Sequence, residues 1–99
     1  MDSSRWSILS LAEQLGNIAS EVHRMKVWDD AGNYEELQRS CFRALELLDL
    51  SLADVRWKKR LREISRSREL LSGFVGKTKE FDVSLEELDR HFQHFGILA

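Results

Sequence analysis

Proline is absent from the 99 residues, and cysteine occurs only once. Without proline, nothing in the chain must interrupt an α-helix, whereas turn-rich β folds use this residue regularly. A single cysteine cannot form an internal disulfide, and no cysteine–histidine cluster has the spacing of a structural zinc site. No apolar run approaches the roughly 20 residues of a transmembrane helix, and the N-terminus lacks the apolar segment of a signal peptide. The sequence therefore predicts a soluble, cytoplasmic protein with no membrane contact, no cofactor and no metal.

The chain also lacks an excess of charge of one sign. It contains 15 Lys and Arg residues and 17 Asp and Glu residues, which give a net charge of −2. This balance argues against a nucleic-acid packaging protein and against a polybasic membrane tail. Apolar residues make up 42% of the chain and charged residues 32%, enough for one core and its surface. The sequence therefore predicts a single domain over residues 1–99.

Four segments have apolar residues at every third or fourth position, the spacing of an amphipathic helix. We expect helices over Ser4–Trp28, from Asn33 to a break at Asp49–Asp54, over Val55–Val75, and after Ser84. Short polar connections between such helices indicate antiparallel neighbours. The predicted fold class is all-α, an up-and-down antiparallel four-helix bundle in which the second helix is central and a short fourth helix closes one end or edge.

Local signals mark helix starts and close contacts. Asn33 and Ser84 are each followed three residues later by a glutamate, the spacing of a capping box. In the first helix, Ile8 belongs to the apolar seam, and Gly16 belongs to a ridge of small residues that a neighbouring helix can approach closely. His23 is expected to pack beside this ridge.

The apolar seams of the second and third helices contain three residues with particular expectations. Cys41 lies within the second seam and is expected to be buried as a small hydrophobe rather than to act as a nucleophile. Trp57 and Leu61 begin the apolar stripe of the third helix. Arg68 projects near the centre of that stripe, so it is either buried and paired with a carboxylate from another helix, or it extends to the edge of the bundle with its charged end in water.

Basic residues are concentrated in the third helix. From Arg56 to Arg68, seven Lys and Arg residues accompany one Glu, so this stretch carries +6 and the remaining residues carry −8. On a helical wheel, one face opposite Trp57 and Leu61 holds four of these basic residues, Lys58, Lys59, Arg62 and Arg66. This stripe is either a solvated face or a docking surface for an acidic partner or for phosphates. Because the remainder is acidic, we expect nucleic-acid binding to be weak and to be lost at physiological salt.

Apolar residues outside the main seams suggest a second chain. Leu70 and Phe74 project away from the stripe of the third helix, and Phe42 and Leu47 are displaced on the second. Excess apolar surface on a small bundle is typical of an interface. The pattern predicts a homodimer or a protein partner.

The last helix places Glu87, His91 and His94 on one face at spacings of four and three residues. This geometry can hold a divalent ion, but one short helix without further ligands elsewhere does not predict a metal site. Arg90 and His94 are close enough to act together on a phosphate, with Arg90 binding it and His94 acting as acid or base. A helical surface that happens to contain both residues is the alternative.

Four stretches resemble a family of small, uncharacterised, all-helical bacterial and archaeal proteins, namely LGNIASEVHRMKVW (15–28), RALELLDLSLAD (43–54), RLREISRSRELLSGF (60–74) and LDRHFQHF (88–95). That resemblance brings no established activity. The chain also resembles, more loosely, HEPN-type helical domains, some of which are ribonucleases or partners of nucleotidyltransferases. Their motif is an Arg and a His separated by four to six residues, whereas three residues separate Arg90 from His94. The resemblance implies a HEPN-like ribonuclease, toxin component or nucleotidyltransferase partner as the alternative function.

The leading hypothesis is a non-enzymatic helical interaction module, because the sequence has a good core and no assembled chemistry. No catalytic residue is predicted, and Arg90 and His94 would be catalytic only under the HEPN-like alternative. The residues predicted to bind a partner are Lys58, Lys59, Arg62, Arg66, Leu70 and Phe74.

Overall fold

The computed structural model describes residues 3–76 and 84–98, and every regular element in these two ranges is helical. The all-α fold class is thereby confirmed for the described part of the chain. The elements are α1 (Ser3–Trp6), α2 (Leu11–Asp30), α3 (Tyr34–Leu52), a 3-10 helix (Val55–Arg60), α4 (Leu61–Gly76) and α5 (Leu85–Leu98).

The first predicted helix consists of two helices, α1 and α2, separated by a short turn. Ser10 has an extended backbone (φ −68°, ψ 165°) and caps α2, because its hydroxyl accepts from the Glu13 amide while the Glu13 carboxylate accepts from the Ser10 amide. Ile8 lies in the turn before this cap and is 80% exposed. The prediction that Ile8 belongs to the apolar seam was therefore wrong. Apolar residues recur at every third or fourth position on both sides of the turn, so the sequence pattern did not reveal the break in the helix.

At Gly16, the ridge of small residues on α2 does not meet a neighbouring helix. Gly16 is exposed, and no atom lies within 4 Å of the position that a Cβ would occupy there. The expected close approach is wrong, and so is the packing of His23, whose side chain is 56% exposed and lies 3.4 Å from Asp89 of α5.

The turn between α2 and α3 follows the predicted start signal. Gly32 adopts a positive φ of 71°, a conformation that glycine reaches without steric cost. The Asn33 side chain accepts from the Glu36 amide at 3.2 Å and so caps α3. At its other end, α3 continues to Leu52, so the break expected at Asp49–Asp54 begins later in the chain.

The third predicted helix starts with a 3-10 segment. Asp54 accepts from the Arg56 amide and caps this segment, and Trp57 has non-helical angles (φ −99°, ψ 22°). A 3-10 helix has about 3.0 residues per turn instead of 3.6, so the phase of the side chains differs from that of one continuous α-helix. This explains why Leu61, predicted for the core, is 37% exposed.

Helix α2 is the central helix, because it makes extensive contacts with both α3 and α5. The expectation that the second predicted helix, α3, is central was wrong. Contacts between Gln14 and Ser51 and between Glu21 and Arg43 show that α2 and α3 run in opposite directions. The largest fully buried hydrophobic side chains are Trp6, Phe92, Leu15, Ile18, Met25, Leu48, Ile64, Leu71, Leu88 and Val22.

Helix α5 packs mainly against α2 and only lightly against α4. Its start is as predicted, because the Ser84 hydroxyl accepts from the Glu87 amide at 3.2 Å. Its inner face contains Leu88, Phe92 and Phe95, all of which are buried, and Leu85, which is half-buried.

A buried polar network joins α1, α2 and the end of α3. The carboxamide oxygen of Gln14 accepts from the Ser51 hydroxyl at 2.8 Å and from the Trp57 indole at 2.9 Å. Its nitrogen donates to the Trp6 carbonyl at 2.9 Å and to Asp54 at 3.3 Å. The Trp6 indole in turn donates to Ser51 at 3.2 Å. All hydrogen-bonding positions of a fully buried glutamine are therefore occupied.

Candidate functional site

The four basic residues predicted to form a stripe are all exposed, and we call them the basic surface: Lys58, Lys59, Arg62 and Arg66. The first two belong to the 3-10 helix and the others to α4, so they do not lie on one continuous α-helix as predicted. None of the four forms an ion pair with another residue of the described ranges. Their charges are therefore available for an external anion.

The other basic residues of the same stretch are neutralised within the chain. Arg56 Nη2 lies 2.7 Å from Asp54, and Arg60 Nε lies 2.7 Å from Glu63. The hydrogen bond from Arg56 lowers the pKa of Asp54 to about 2.

Arg68 has features of both alternatives that the sequence left open, because it is paired with a carboxylate and also lies at the edge of the bundle. Its Nε lies 2.6 Å from Asp49 of α3, and Nη1 donates to Ser72 at 3.1 Å. The Arg68 side chain is 38% exposed, so it reaches the edge of the α3–α4 interface instead of the core.

The apolar residues of the predicted partner-binding set serve the core of the chain itself. Leu70 and Phe74 are half-buried and pack against the core, as Leu47 does. Phe42 is 56% exposed and remains outside the core as expected. Because Leu70 and Phe74 are packed against the core, the exposed part of this set is basic.

Basic residues lie near one end of α2, and acidic residues lie at its other end. Lys58 and Lys59 of the basic surface lie near the N-terminal end, because Trp57, which directly precedes Lys58, contacts Gln14 in the first turn of α2. At the other end Asp29 and Asp30 are exposed, form no ion pair with described residues, and have no basic residue in the same turn. A 20-residue helix is about 30 Å long. We call Asp29 and Asp30 the acidic end.

A cleft of about 480 Å³ lies between α4 and α5. The residues that line it come from the end of the 3-10 helix, from α4 and from α5: Arg60, Glu63, Arg66, Ser67, His91, His94 and Phe95. Arg66 belongs both to this lining and to the basic surface. The cleft therefore opens beside the basic surface.

His91 forms part of the cleft and is held by Ser67, with 2.9 Å between Nε2 and Oγ. The Ser67 hydroxyl also donates to the Glu63 carbonyl at 3.1 Å. A hydroxyl has only one hydrogen, so with this donation Ser67 accepts from Nε2–H of His91. Burial lowers the pKa of His91, and the nearby charges of Arg66 and His94 lower it further. The imidazole is thus neutral at pH 7.

The two residues of the HEPN-like alternative are both exposed, but only one belongs to the cleft. His94 lines it, whereas Arg90 is not among the lining residues. This cleft therefore does not bring the two side chains together, and the HEPN-like alternative stays a prediction.

Cys41 is buried in the core as predicted, and burial raises the pKa of its thiol to about 11. Within residues 3–76 and 84–98, no group of three or more His, Cys, Asp and Glu is arranged to hold a metal ion. His91 is occupied by Ser67, and the described chain offers no other assembled ligand set.

Comparison of the chain with models of protein families, with curated proteins and with solved structures finds no match. The two resemblances noted from the sequence remain predictions. No helix in the described part of the chain has an apolar stretch long enough to cross a membrane.

The cleft contains residues that the sequence patterns did not single out. The Arg60–Glu63 pair has an i, i+3 spacing that could have been found, since such pairs meet on a helix surface. Ser67 and Phe95 had no local signal for a site, because their role depends on how α4 and α5 face each other.

Proposed function

We propose that the protein is a non-enzymatic helical interaction module that binds an acidic protein surface through Lys58, Lys59, Arg62 and Arg66. The observation that carries this proposal is the difference between paired and unpaired basic residues in one short stretch. Arg56, Arg60 and Arg68 each contact a carboxylate, while the four residues of the basic surface have none in the described ranges.

The partner that we propose is a second copy of the chain. Lys58 and Lys59 lie at the end of α2 opposite to the acidic end, so two copies placed side by side and antiparallel would bring unlike charges together at both ends. The C-terminus of α2 adds the negative end of its helix dipole, about half an elementary charge. A twofold arrangement of this kind is closed, as in most homodimers.

The four long helices of each copy are proposed to form an up-and-down bundle. Antiparallel contacts between α2 and α3 support this arrangement, as do those between α4 and α5, where Arg60 lies beside Phe95 and Ser67 beside His91.

Extended nucleic acid is a less suitable partner for the same surface. Four phosphate contacts would give a slope of about −3.6 in log affinity against log salt, so binding would weaken steeply towards physiological salt. The remaining residues carry −8 and would repel a polyanion that extended around the molecule. A compact acidic protein surface avoids this repulsion.

A charge-exchange experiment tests the dimer. Sedimentation velocity at low salt should show a dimer for the wild type and a monomer for two double variants, Lys59→Glu with Arg62→Glu and Asp29→Lys with Asp30→Lys. Mixing the two variants should restore a heterodimer, because each altered surface then meets a surface of opposite charge. All four residues are exposed, so folding should be unaffected.

Arg39→Glu is the matched control, because Arg39 is exposed on α3 but already paired with Glu35 and Glu36. This variant should dimerise like the wild type. A wild type that stays monomeric at high concentration and low salt would contradict the proposal, and so would a mixture of the double variants that stays monomeric.

A further inference from the structure

The cleft between α4 and α5 has an unbalanced positive charge. Glu63 is its one carboxylate and is already engaged by Arg60 at 2.7 Å, whereas Arg66 has no carboxylate partner in the described ranges. With neutral imidazoles the lining therefore carries a net charge of +1. An anion entering the cleft meets the Arg66 guanidinium, which has no carboxylate partner in the described ranges, and two imidazole rings.

The donor set fits a phosphate better than a carboxylate. A carboxylate carries one charge, which Arg66 alone would balance. A phosphate monoester carries about −1.5 to −2 at pH 7 and has three acceptor oxygens, so it can use the guanidinium fork and an imidazole together.

The size and walls of the cleft indicate that the phosphate belongs to a larger molecule. Its volume of about 480 Å³ falls among the roughly 300–1,000 Å³ of small-molecule sites. The rings of His91 and Phe95, with centroids 6.0 Å apart, form the inner wall. The two rings are tilted by 40° to each other and give this wall an apolar character beside the charged groups.

We propose that this cleft binds the phosphate monoester of a small organic molecule, with Arg66 and His94 contacting the phosphate and His91 forming the floor. Arg66 and His94 are exposed and can move towards a ligand, while His91 is held in place by Ser67. The site is distinct from the proposed dimer surface, with which it shares only Arg66.

The chain contains only three histidines, so the imidazole resonances of a phosphate-binding test can be assigned to few residues. His91 and His94 line the cleft, whereas His23 lies on α2 beside Asp89 and serves as an internal control. In imidazole NMR spectra at constant ionic strength, phenyl phosphate should shift the resonances of His91 and His94 saturably and leave those of His23 unchanged. The pKa of His91 should rise by about 1 unit, as expected for a nearby opposite charge.

Substitution of Arg66 provides the second measurement. Arg66→Gln should weaken phenyl phosphate binding about tenfold or more, because a charge-assisted bidentate contact is lost. Arg62→Gln is the matched control, since Arg62 is exposed on the same helix but does not line the cleft. Inorganic phosphate should bind more weakly than phenyl phosphate, and benzoate more weakly still.

Three results would overturn the proposal: no saturable shift of His91 and His94, an equal shift of His23, or equal weakening by Arg62→Gln and Arg66→Gln. The variant Lys59→Glu with Arg62→Glu should lose dimerisation but keep phosphate binding, so a failure of one proposal is distinguishable from a failure of the other.

Discussion

Replacing Gln14 by leucine removes the centre of the buried polar network while nearly preserving the side-chain volume. Gln14 is fully buried, and its carboxamide oxygen accepts from both the Ser51 hydroxyl and the Trp57 indole. The Trp6 carbonyl also loses a donor, but it still accepts from the Leu9 amide at 3.1 Å. Two donors, on Ser51 and Trp57, are therefore left without their acceptor.

The expected loss of unfolding free energy follows from the burial of these two donors. A buried donor without a partner costs about 1–3 kcal/mol. Ser51 is fully buried and should cost an amount within that range, whereas Trp57 is half-buried and can partly turn to water. We expect a total loss of about 2–4 kcal/mol, a large fraction of the roughly 5–15 kcal/mol that stabilises a typical domain. The corresponding fall in Tm is about 4–8 °C per kcal/mol for a domain of this size.

Urea unfolding followed by tryptophan fluorescence is a suitable assay, because Trp6 and Trp57 both belong to the network. Gln38→Leu is the matched control, since Gln38 is exposed on α3 and the same chemical change should have little effect there. Equal stabilities of the Gln14→Leu and Gln38→Leu variants would refute the reasoning, because the buried hydrogen bonds would then contribute nothing measurable.

Three further predictions concern single ionisable groups. The pKa of Asp54 is lowered from 3.8 to about 2, so the ionised carboxylate stabilises the fold above about pH 4, and this contribution is lost as the pH falls to about 2. In urea unfolding, the destabilisation caused by Asp54→Asn should therefore become smaller between about pH 4 and about pH 2. The pKa of His91 is lowered, so protonation of this residue favours the unfolded chain. The urea midpoint of the wild type should therefore fall as the pH drops below about 6.5, and that of His91→Gln should fall less. Cys41 is buried with a thiol pKa of about 11, so Ellman's reagent at pH 8 should react with it in urea but not in the folded protein. Rapid reaction of the folded protein would show that solvent reaches the core at Cys41.

Local sequence signals predicted the parts of the fold that depend on neighbouring residues. The cap at Asn33 and the cap at Ser84 were visible as a short polar residue followed by glutamate, and both hydrogen bonds are present. The inner face of α5 was visible in the spacing of Leu88, Phe92 and Phe95, because helical periodicity alone determines which side chains share a face.

The helix breaks were harder to predict, because neither contains proline. Ser10 followed by Glu13 is a capping box that marks the start of α2, but the apolar spacing across it suggested one continuous helix. The 3-10 segment had no such signal: Trp57, which has non-helical angles, is hydrogen-bonded to Gln14, 43 residues away in the sequence.

The candidate site was predictable only in part, because some of its features depend on contacts between residues that are far apart in the sequence. Exposure of Lys58, Lys59, Arg62 and Arg66 followed from their position opposite the apolar stripe. Their lack of partners, in contrast, depends on which carboxylates the tertiary structure brings close. The cleft arises from the separation between α4 and α5, which no local pattern encodes.

The polar network around Gln14 also has a consequence for the order in which the chain folds. Its members come from α1, α2, the end of α3 and the 3-10 helix, so the network can close only after α2 and α3 have paired. Helix α1 has four residues and is too short to form alone, because helix nucleation is unfavourable. It should therefore dock late in folding and detach first in the native state. The indole proton of Trp6 would then exchange with solvent through a local opening, well before global unfolding exposes the core.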